Sequence, residues 1–254
     1  MKFIGRTDYL DKLSALWKKD RSSFVVVSGR RRIGKSTLIE EFARRSGCDF
    51  IEIVGLPPEK TMTNQRQIDN FCERLSKASG RPEVKADCWS KAFDALDDAI
   101  QRRRKTIVFL DEISWMGRYD GAFAGFLKTA WDTQLSLRDN LILVVAGSVS
   151  AWIHANIQRS KGFVGRISLD ITLSELSLSE CLAFWGRKAE RTANREILDV
   201  LSVTGGVPKY LAEVNPSLSA DENIRRLCFD PNGYLFNDFN RIFDDVFEES
   251  VAAK

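Results

Sequence analysis

Histidine occurs once in these 254 residues, at His154, which reads as a structural or surface residue. The five cysteines, Cys48, Cys72, Cys88, Cys181 and Cys228, show no Cys-x-x-Cys spacing. A zinc site of the common kind is therefore not expected. An odd number of scattered cysteines suits a reducing cytosol, where they serve mostly as small core residues, so a cytoplasmic location is expected. No apolar run approaches the length of a membrane-spanning helix, so no membrane partner is expected. Residues 1–20 carry Arg6, Asp8, Asp11, Lys12 and Lys18 in place of the apolar stretch of a signal peptide. An excess of one charge is missing too. The 38 Lys and Arg against 35 Asp and Glu leave +3, which by itself argues for no nucleic-acid partner. Repeats and low-complexity tracts are absent. What remains is ordinary for a soluble globular chain, 44% hydrophobic and 29% charged, long enough for one or two domains.

Against this plain background one segment stands out. Phe24-Val-Val-Val27 is a short apolar strand, and Lys35-Ser36 opens the periodic run Leu38, Ile39, Phe42. Between them, Gly29-Arg30-Arg31-Arg32-Ile33-Gly34-Lys35-Ser36 matches G-x-x-x-x-G-K-[ST], the Walker A pattern. A triphosphate needs its charge neutralised away from bulk water. Gly29 and Gly34 let the backbone curl and aim N–H groups inward. A helix N-terminus from about Lys35 adds its positive dipole end. Lys35 is placed to reach the β- and γ-phosphates, Ser36 to hold Mg²⁺, and Thr37 to contact the nucleotide. The Arg30–Arg32 run adds charge around the phosphates and is read as partly solvated, with none of the three catalytic.

Hydrophobic periodicity organises the rest. Helices are expected at 7–19, 35–46, 61–79, 88–104 and 120–135, and strands at 24–28, 48–54, 107–110, 141–146 and 168–173. Apolar strands alternating with helices imply crossovers and a parallel sheet covered on both faces. After Leu173 the pattern is helical only, at 176–185, 194–204, 207–214 and 221–228. Pro231-Asn-Gly233 is a turn signal before a Phe236, Phe239, Phe243, Phe247 stripe that needs apolar cover. The divisions expected are a P-loop core over 1–173, a helical lid over 174–230, and a C-terminal helix over 231–254.

Ile107-Val-Phe-Leu110 ends in Asp111-Glu112, a Walker B candidate. On a strand parallel to the P-loop strand, both carboxylates reach the phosphate end of the sheet. Asp111 is then placed to hold Mg²⁺, and Glu112 to polarise the attacking water. Ser148, after strand 141–146, is either a sensor of the γ-phosphate or an ordinary strand-end cap. Arg166, just before the last strand, is placed to neutralise charge in phosphoryl transfer, on its own site or on a neighbouring subunit's. The run Gln101-Arg-Arg-Arg-Lys105 reads as a solvated helix end more readily than as a nucleic-acid patch. No Asn-Lys-x-Asp motif is present, against a small GTPase. Glu112 beside Asp111, with an extra strand between the Walker A and B strands, argues against a nucleotide kinase.

With these residues in hand, the chain resembles the archaeal-type ATPase family, a branch of the AAA+ and STAND-related P-loop NTPases. The resemblance spans nearly the whole chain. Phe3-Ile4-Gly5-Arg6 is similar to an opening that lies over adenine in AAA+ relatives. The arginine-rich Walker A, Leu110-Asp-Glu-Ile-Ser-Trp-Met116, Ala146-Gly-Ser148 (sensor 1) and Gly165-Arg166 (arginine finger) are similar in turn. Thr204-Gly-Gly-Val-Pro-Lys-Tyr-Leu211 is similar to a lid motif, implying Pro208 near the adenine and Lys209 near the sensor 2 position. The resemblance implies a five-stranded parallel αβα core with a helical lid, ATP and Mg²⁺ as ligands, and hydrolysis driving a core–lid switch. It also implies that family members continue into a winged-helix and a nuclease-like domain, so that a DNA or protein partner is expected through domains not in this chain. Two alternatives stay open: an ATPase module of a DNA-associated defence, mobile-element or repair system, and a slow-hydrolysing STAND-like interaction protein. A homo-oligomer is expected if Arg166 acts in trans.

Overall fold

The protein is seen as a computed structural model that describes residues 3–148, 150–236 and 238. Five parallel strands form one sheet: β1 (Ser23–Gly29), β2 (Asp49–Val54), β3 (Thr106–Asp111), β4 (Leu141–Gly147) and β5 (Ile167–Leu173), in the order β2-β3-β4-β1-β5. Burial follows position in that order. The inner strands β3 and β4 are buried at every residue, and β1 at all but its last, which is why they read as unbroken apolar runs. The edge strands β2 and β5 alternate between buried and open positions.

Helices α1 (Thr7–Trp17), α2 (Lys35–Ser46), α3 (Asn64–Ser79), α4 (Trp89–Ala99), α5 (Ile113–Met116), α6 (Phe123–Thr133) and α7 (Ser150–Ile153) accompany the sheet. An aromatic cluster holds α3, α4 and α6 together. Trp89 is fully buried, edge-on to Phe71 at 5.6 Å and to Phe123 at 4.6 Å, and its indole N–H donates to Asn64 Oδ1. Helix α3 starts three residues later than its periodicity suggests, because the Thr63 hydroxyl caps the Arg66 N–H.

One sequence expectation is corrected here. The helix expected over 88–104 stops at Ala99, and Ile100 is extended. Arg138 takes the last carbonyls, donating to the oxygens of Asp97 and Ile100, and Asn140 donates to those of Gln101 and Arg104. Residues 101–105 therefore form a turn into β3, not the end of a helix.

The chain divides into two compact units. One is the sheet with α1 to α7. The other gathers the residues up to Arg6, the segment Arg32–Gly34, and the chain from Ser174 onward. Its helices are α8 (Leu178–Leu182), α9 (Asn194–Thr204), α10 (Pro208–Leu211) and α11 (Ala220–Ile224). They enclose a small core around Leu176, Trp185, Ile197, Val200, Leu211 and Leu227. Ser177 and Ser219 each start a helix with a full capping box, to Glu180 and Glu222. Phe236 is 44% exposed, while Phe239, Phe243 and Phe247 lie outside the described residues. So does most of the segment expected as a C-terminal helix.

Candidate active site

In the sheet unit, β3, β4 and β1 are neighbours, so their carboxyl ends bring three loops together. Gly29 leaves β1 with φ 146°, and Gly34 has φ 92°. Arg32 is also left-handed, at φ 66°, a cost that a non-glycine residue carries only when its surroundings fix it. Helix α2 begins at Lys35, so the free N–H groups of its first turn open toward the loop. Lys35 is 93% buried as a residue, with 7% exposure, and its ammonium donates to the carbonyls of Gly29 at 3.0 Å and Arg30 at 3.2 Å. Burial lowers its pKa, Glu112 and Asp111 work against that, and the Arg31 charge adds to it. An anion arriving here meets a cation that is only partly neutralised.

Ser36 Oγ donates to Asp111 Oδ2 at 2.6 Å, and the other Asp111 oxygen accepts from the Glu112 N–H at 2.9 Å. A hydroxyl and a carboxylate side by side are hard oxygen donors, the set that suits Mg²⁺ with its remaining positions on water and phosphate. The residues present fit that ion.

Glu112 follows with left-handed backbone, φ 49° and ψ 47°. Its carbonyl turns against Gly55, where a Cβ would lie 2.8 Å from it, so only glycine fits at that point after β2. The Glu112 carboxylate accepts from Ser148 at both oxygens, from the hydroxyl at 3.1 and 3.0 Å and from the N–H at 3.3 Å. Burial pushes its pKa up, the neighbouring Asp111 charge pushes further, and Lys35 and Ser148 pull back. A carboxylate raised this way is a better proton acceptor near neutral pH. Ser148, 3% exposed, follows β4 directly and holds Glu112.

The other site residues lie in the helical unit. Ile33 is buried, and its carbonyl accepts from Arg6 Nη2 at 3.3 Å. The same Arg6 nitrogen donates to Ser174 O at 2.5 Å, and the Arg6 backbone N–H donates to Glu180 Oε1 at 2.7 Å. Burial opposes ionisation of Glu180, but the Arg6 and Ser177 N–H groups more than offset it, and its pKa is lowered. Arg32 ion-pairs with Asp238, with its guanidinium 5.8 Å from the ring centres of both Tyr210 and Tyr234. Gly34 stands beside Pro208, and Lys209 Nζ is 5.8 Å from the Tyr234 ring. The turn Ile4-Gly5-Arg6 therefore hooks the loop carbonyl of Ile33 in addition to any contact with a base. Sequence reasoning missed Glu180 and Asp238: locally Glu180 shows only as the capping-box partner of Ser177, while its bond to Arg6 and the pairing of Asp238 with Arg32 join residues more than 170 apart in the chain.

Within the sheet unit, Arg166 lies away from the phosphate loop. It precedes β5, whose first residue pairs with Phe24 at the start of β1, while the phosphate loop follows the end of β1. Seven residues at about 3.3 Å each put some ~20 Å between them. Its guanidinium is held in a fork by Asp132 at 2.6 and 2.9 Å. That separation stands against action on its own site. Arg30 and Thr37 are exposed at the loop and the start of α2.

Comparison with known proteins agrees with the fold. A Walker-type ATPase of Pyrococcus abyssi superposes with a TM-score of 0.62 at 17% identity, covering 98% of this chain and 72% of that one. The ORC2 protein of Aeropyrum pernix, solved as ADPNP–ADP complexes, gives a TM-score of 0.61 at 14% identity, covering 84% of this chain and 61% of that one. An uncharacterised protein of Methanocaldococcus jannaschii is 19% identical over 255 residues, which is 99% of this chain and 52% of that protein. The chain thus spans about half the length of that relative. Residues 3–214 match the sequence profile of one family along almost the whole stretch from the opening turn to the helices. The chain belongs to that family, the ATPase domain found predominantly in Archaea.

Proposed function

We propose that this chain binds and hydrolyses ATP with Mg²⁺ and uses the cycle to open and close its helical unit as a lid. The observation that carries the proposal is the meeting of Lys35, Ser36, Asp111 and Glu112 at the carboxyl ends of β1 and β3. Lys35 exchanges the Gly29 and Arg30 carbonyls for the triphosphate, and the loop and α2 N–H groups take the remaining phosphate oxygens. Ser36 and Asp111 would hold Mg²⁺, whose charge would offset that of the phosphates. Glu112 orients a water and accepts its proton as the water oxygen bonds to the γ-phosphorus. The bond from that phosphorus to the bridging oxygen breaks, and its electron pair stays on ADP. Arg6, Arg32 and Pro208 tie the loop segment 32–34 to the helices after Ser174, so a loop that tightens on phosphate moves them.

A slow, switch-like rate is favoured by one observation. Ser148 donates to both oxygens of Glu112, which holds the carboxylate in one orientation and pulls its basicity down. Arg166 is proposed to act on a neighbouring copy, once it leaves Asp132.

The test is a Mg-ATPase assay over a range of protein concentrations, with and without DNA, alongside Lys35→Ala. Wild type should hydrolyse ATP, and the variant should lose at least about ten-fold in triphosphate affinity, as expected for a charged hydrogen bond. Equal turnover by both would overturn the proposal. Specific activity rising with concentration supports Arg166 in trans. Stimulation by DNA with steep salt dependence supports the DNA-associated alternative.

A further inference from the structure

Arg31 stands beside the Ser148 hydroxyl that holds Glu112, and no role in the hydrolysis above uses it. Its Nε is 3.4 Å from Ser148 Oγ, and its guanidinium carbon is 5.7 Å from the centre of the Trp115 ring. Trp115 belongs to α5, the short helix that Glu112 caps. The Arg31 charge also acts on the Lys35 ammonium of the same loop. Arg31 is exposed, whereas Ser148 is 3% exposed, so the guanidinium stands between solvent and a buried hydroxyl.

A serine hydroxyl has one proton and two lone pairs. With Arg31 presenting an N–H, a lone pair of Ser148 faces that N–H and the hydroxyl proton goes to Glu112. At 3.4 Å the arginine bond is long and weak. A phosphate oxygen is a far stronger partner for a guanidinium than a neutral hydroxyl is. Resting on the ATP-hydrolysis proposal, we propose that Arg31 reads the γ-phosphate: drawn to it, Arg31 leaves Trp115 and Ser148, and the Ser148 hydroxyl, no longer faced by the Arg31 N–H, turns from Glu112 and leaves its oxygens to the Ser148 N–H and the water. Arg31 acts through Ser148 on the base and is a positioning residue. ADP, lacking the γ-phosphate, leaves Arg31 over Trp115 and Glu112 held, so the device also distinguishes the two nucleotides.

The experiment uses the full chain as wild type, Arg31→Met, Arg31→Lys and Trp115→Phe, with ADP alone and ADP plus beryllium fluoride as the γ-phosphate mimic. Tryptophan emission of wild type should change with the mimic and not with ADP. The change should vanish in Trp115→Phe and in Arg31→Met, and return in part in Arg31→Lys. Arg31→Met should weaken binding of the mimic about ten-fold or more while ADP affinity stays within about three-fold. The loss of single-turnover rate from Arg31→Met should be smaller in a Ser148→Ala background than in wild type. Equal affinity of wild type and Arg31→Met for the mimic overturns the proposal, as does the same rate loss in both backgrounds. A wild type that shows the emission change without hydrolysing ATP would sink the hydrolysis proposal and leave Arg31 as the γ-phosphate reader. Equal turnover by Arg31→Met and an active wild type would sink Arg31 alone.

Discussion

Replacing Glu112 by glutamine keeps shape and removes one charge. The side-chain oxygen still accepts from Ser148, so the turn and α5 have no reason to rearrange. What is lost is the proton acceptor, and general bases of this kind contribute about 10²–10⁴ in rate, or about 3 to 5 kcal/mol of barrier. The same substitution acts on stability in the opposite direction. Burial and the Asp111 charge raise the Glu112 pKa, so the folded chain holds that proton more tightly than the unfolded chain does. Above the raised pKa the ionised carboxylate costs stability, and below the unfolded value of about 4.3 the cost disappears. Glutamine removes the cost where it exists. The variant should therefore melt no lower than wild type at about pH 8, with the difference shrinking toward about pH 4. The decisive assay is single turnover with enzyme in excess over Mg-ATP, paired with calorimetric ADP binding. ADP affinity should be retained while the rate falls at least about 100-fold. A loss below about ten-fold, with chemistry shown to limit the rate, would remove Glu112 from the base role.

Two further outcomes test the packing and the charges. Asp132 is held at a pKa of about 2, first by the hydrogen bonds from Arg166 and despite some desolvation, with Lys128 adding to the effect. Its stabilisation is present above the unfolded value and lost as pH falls through about 2. The pair is solvent-facing, so Asp132→Asn should cost under about 1 kcal/mol at neutral pH. Acid unfolding should show a shallower loss in the variant than in wild type between about pH 4 and pH 2, and matching slopes would refute the linkage. Trp89→Ala, at a fully buried site between Phe71 and Phe123, should cost about 3 to 5 kcal/mol in urea unfolding, and a cost below about 1 kcal/mol would show that the site collapses or was never packed.

Much of the sheet unit was legible because its signals are local. Unbroken apolar runs mark β1, β3 and β4, and their burial on both faces is the physical reason they lack alternation. The phosphate loop needs two glycines and a lysine at fixed spacing, and all are contiguous. Helix ends were less legible. Arg138 and Asn140 close the end of α4 from across the fold, and no pattern near Ala99 announces them. The left-handed backbone of Arg6, Arg32 and Glu112 was equally hidden, since each is a residue type that avoids it and is held there by contacts made elsewhere.

The expected ligand class, the order of strands and helices, and the candidates Lys35, Ser36, Asp111 and Glu112 were all readable along the chain, because a phosphate-loop pattern lies in one short contiguous loop and in strand ends. What those groups do to one another came from the packing of the strands. Placing β4 between β3 and β1 puts Ser148 on Glu112 and Arg31 on Ser148. Starting β5 at the base of β1 puts Arg166 at the far end of the sheet. Those relations depend on strand order and register, which are settled by how the whole chain packs and not by neighbouring residues.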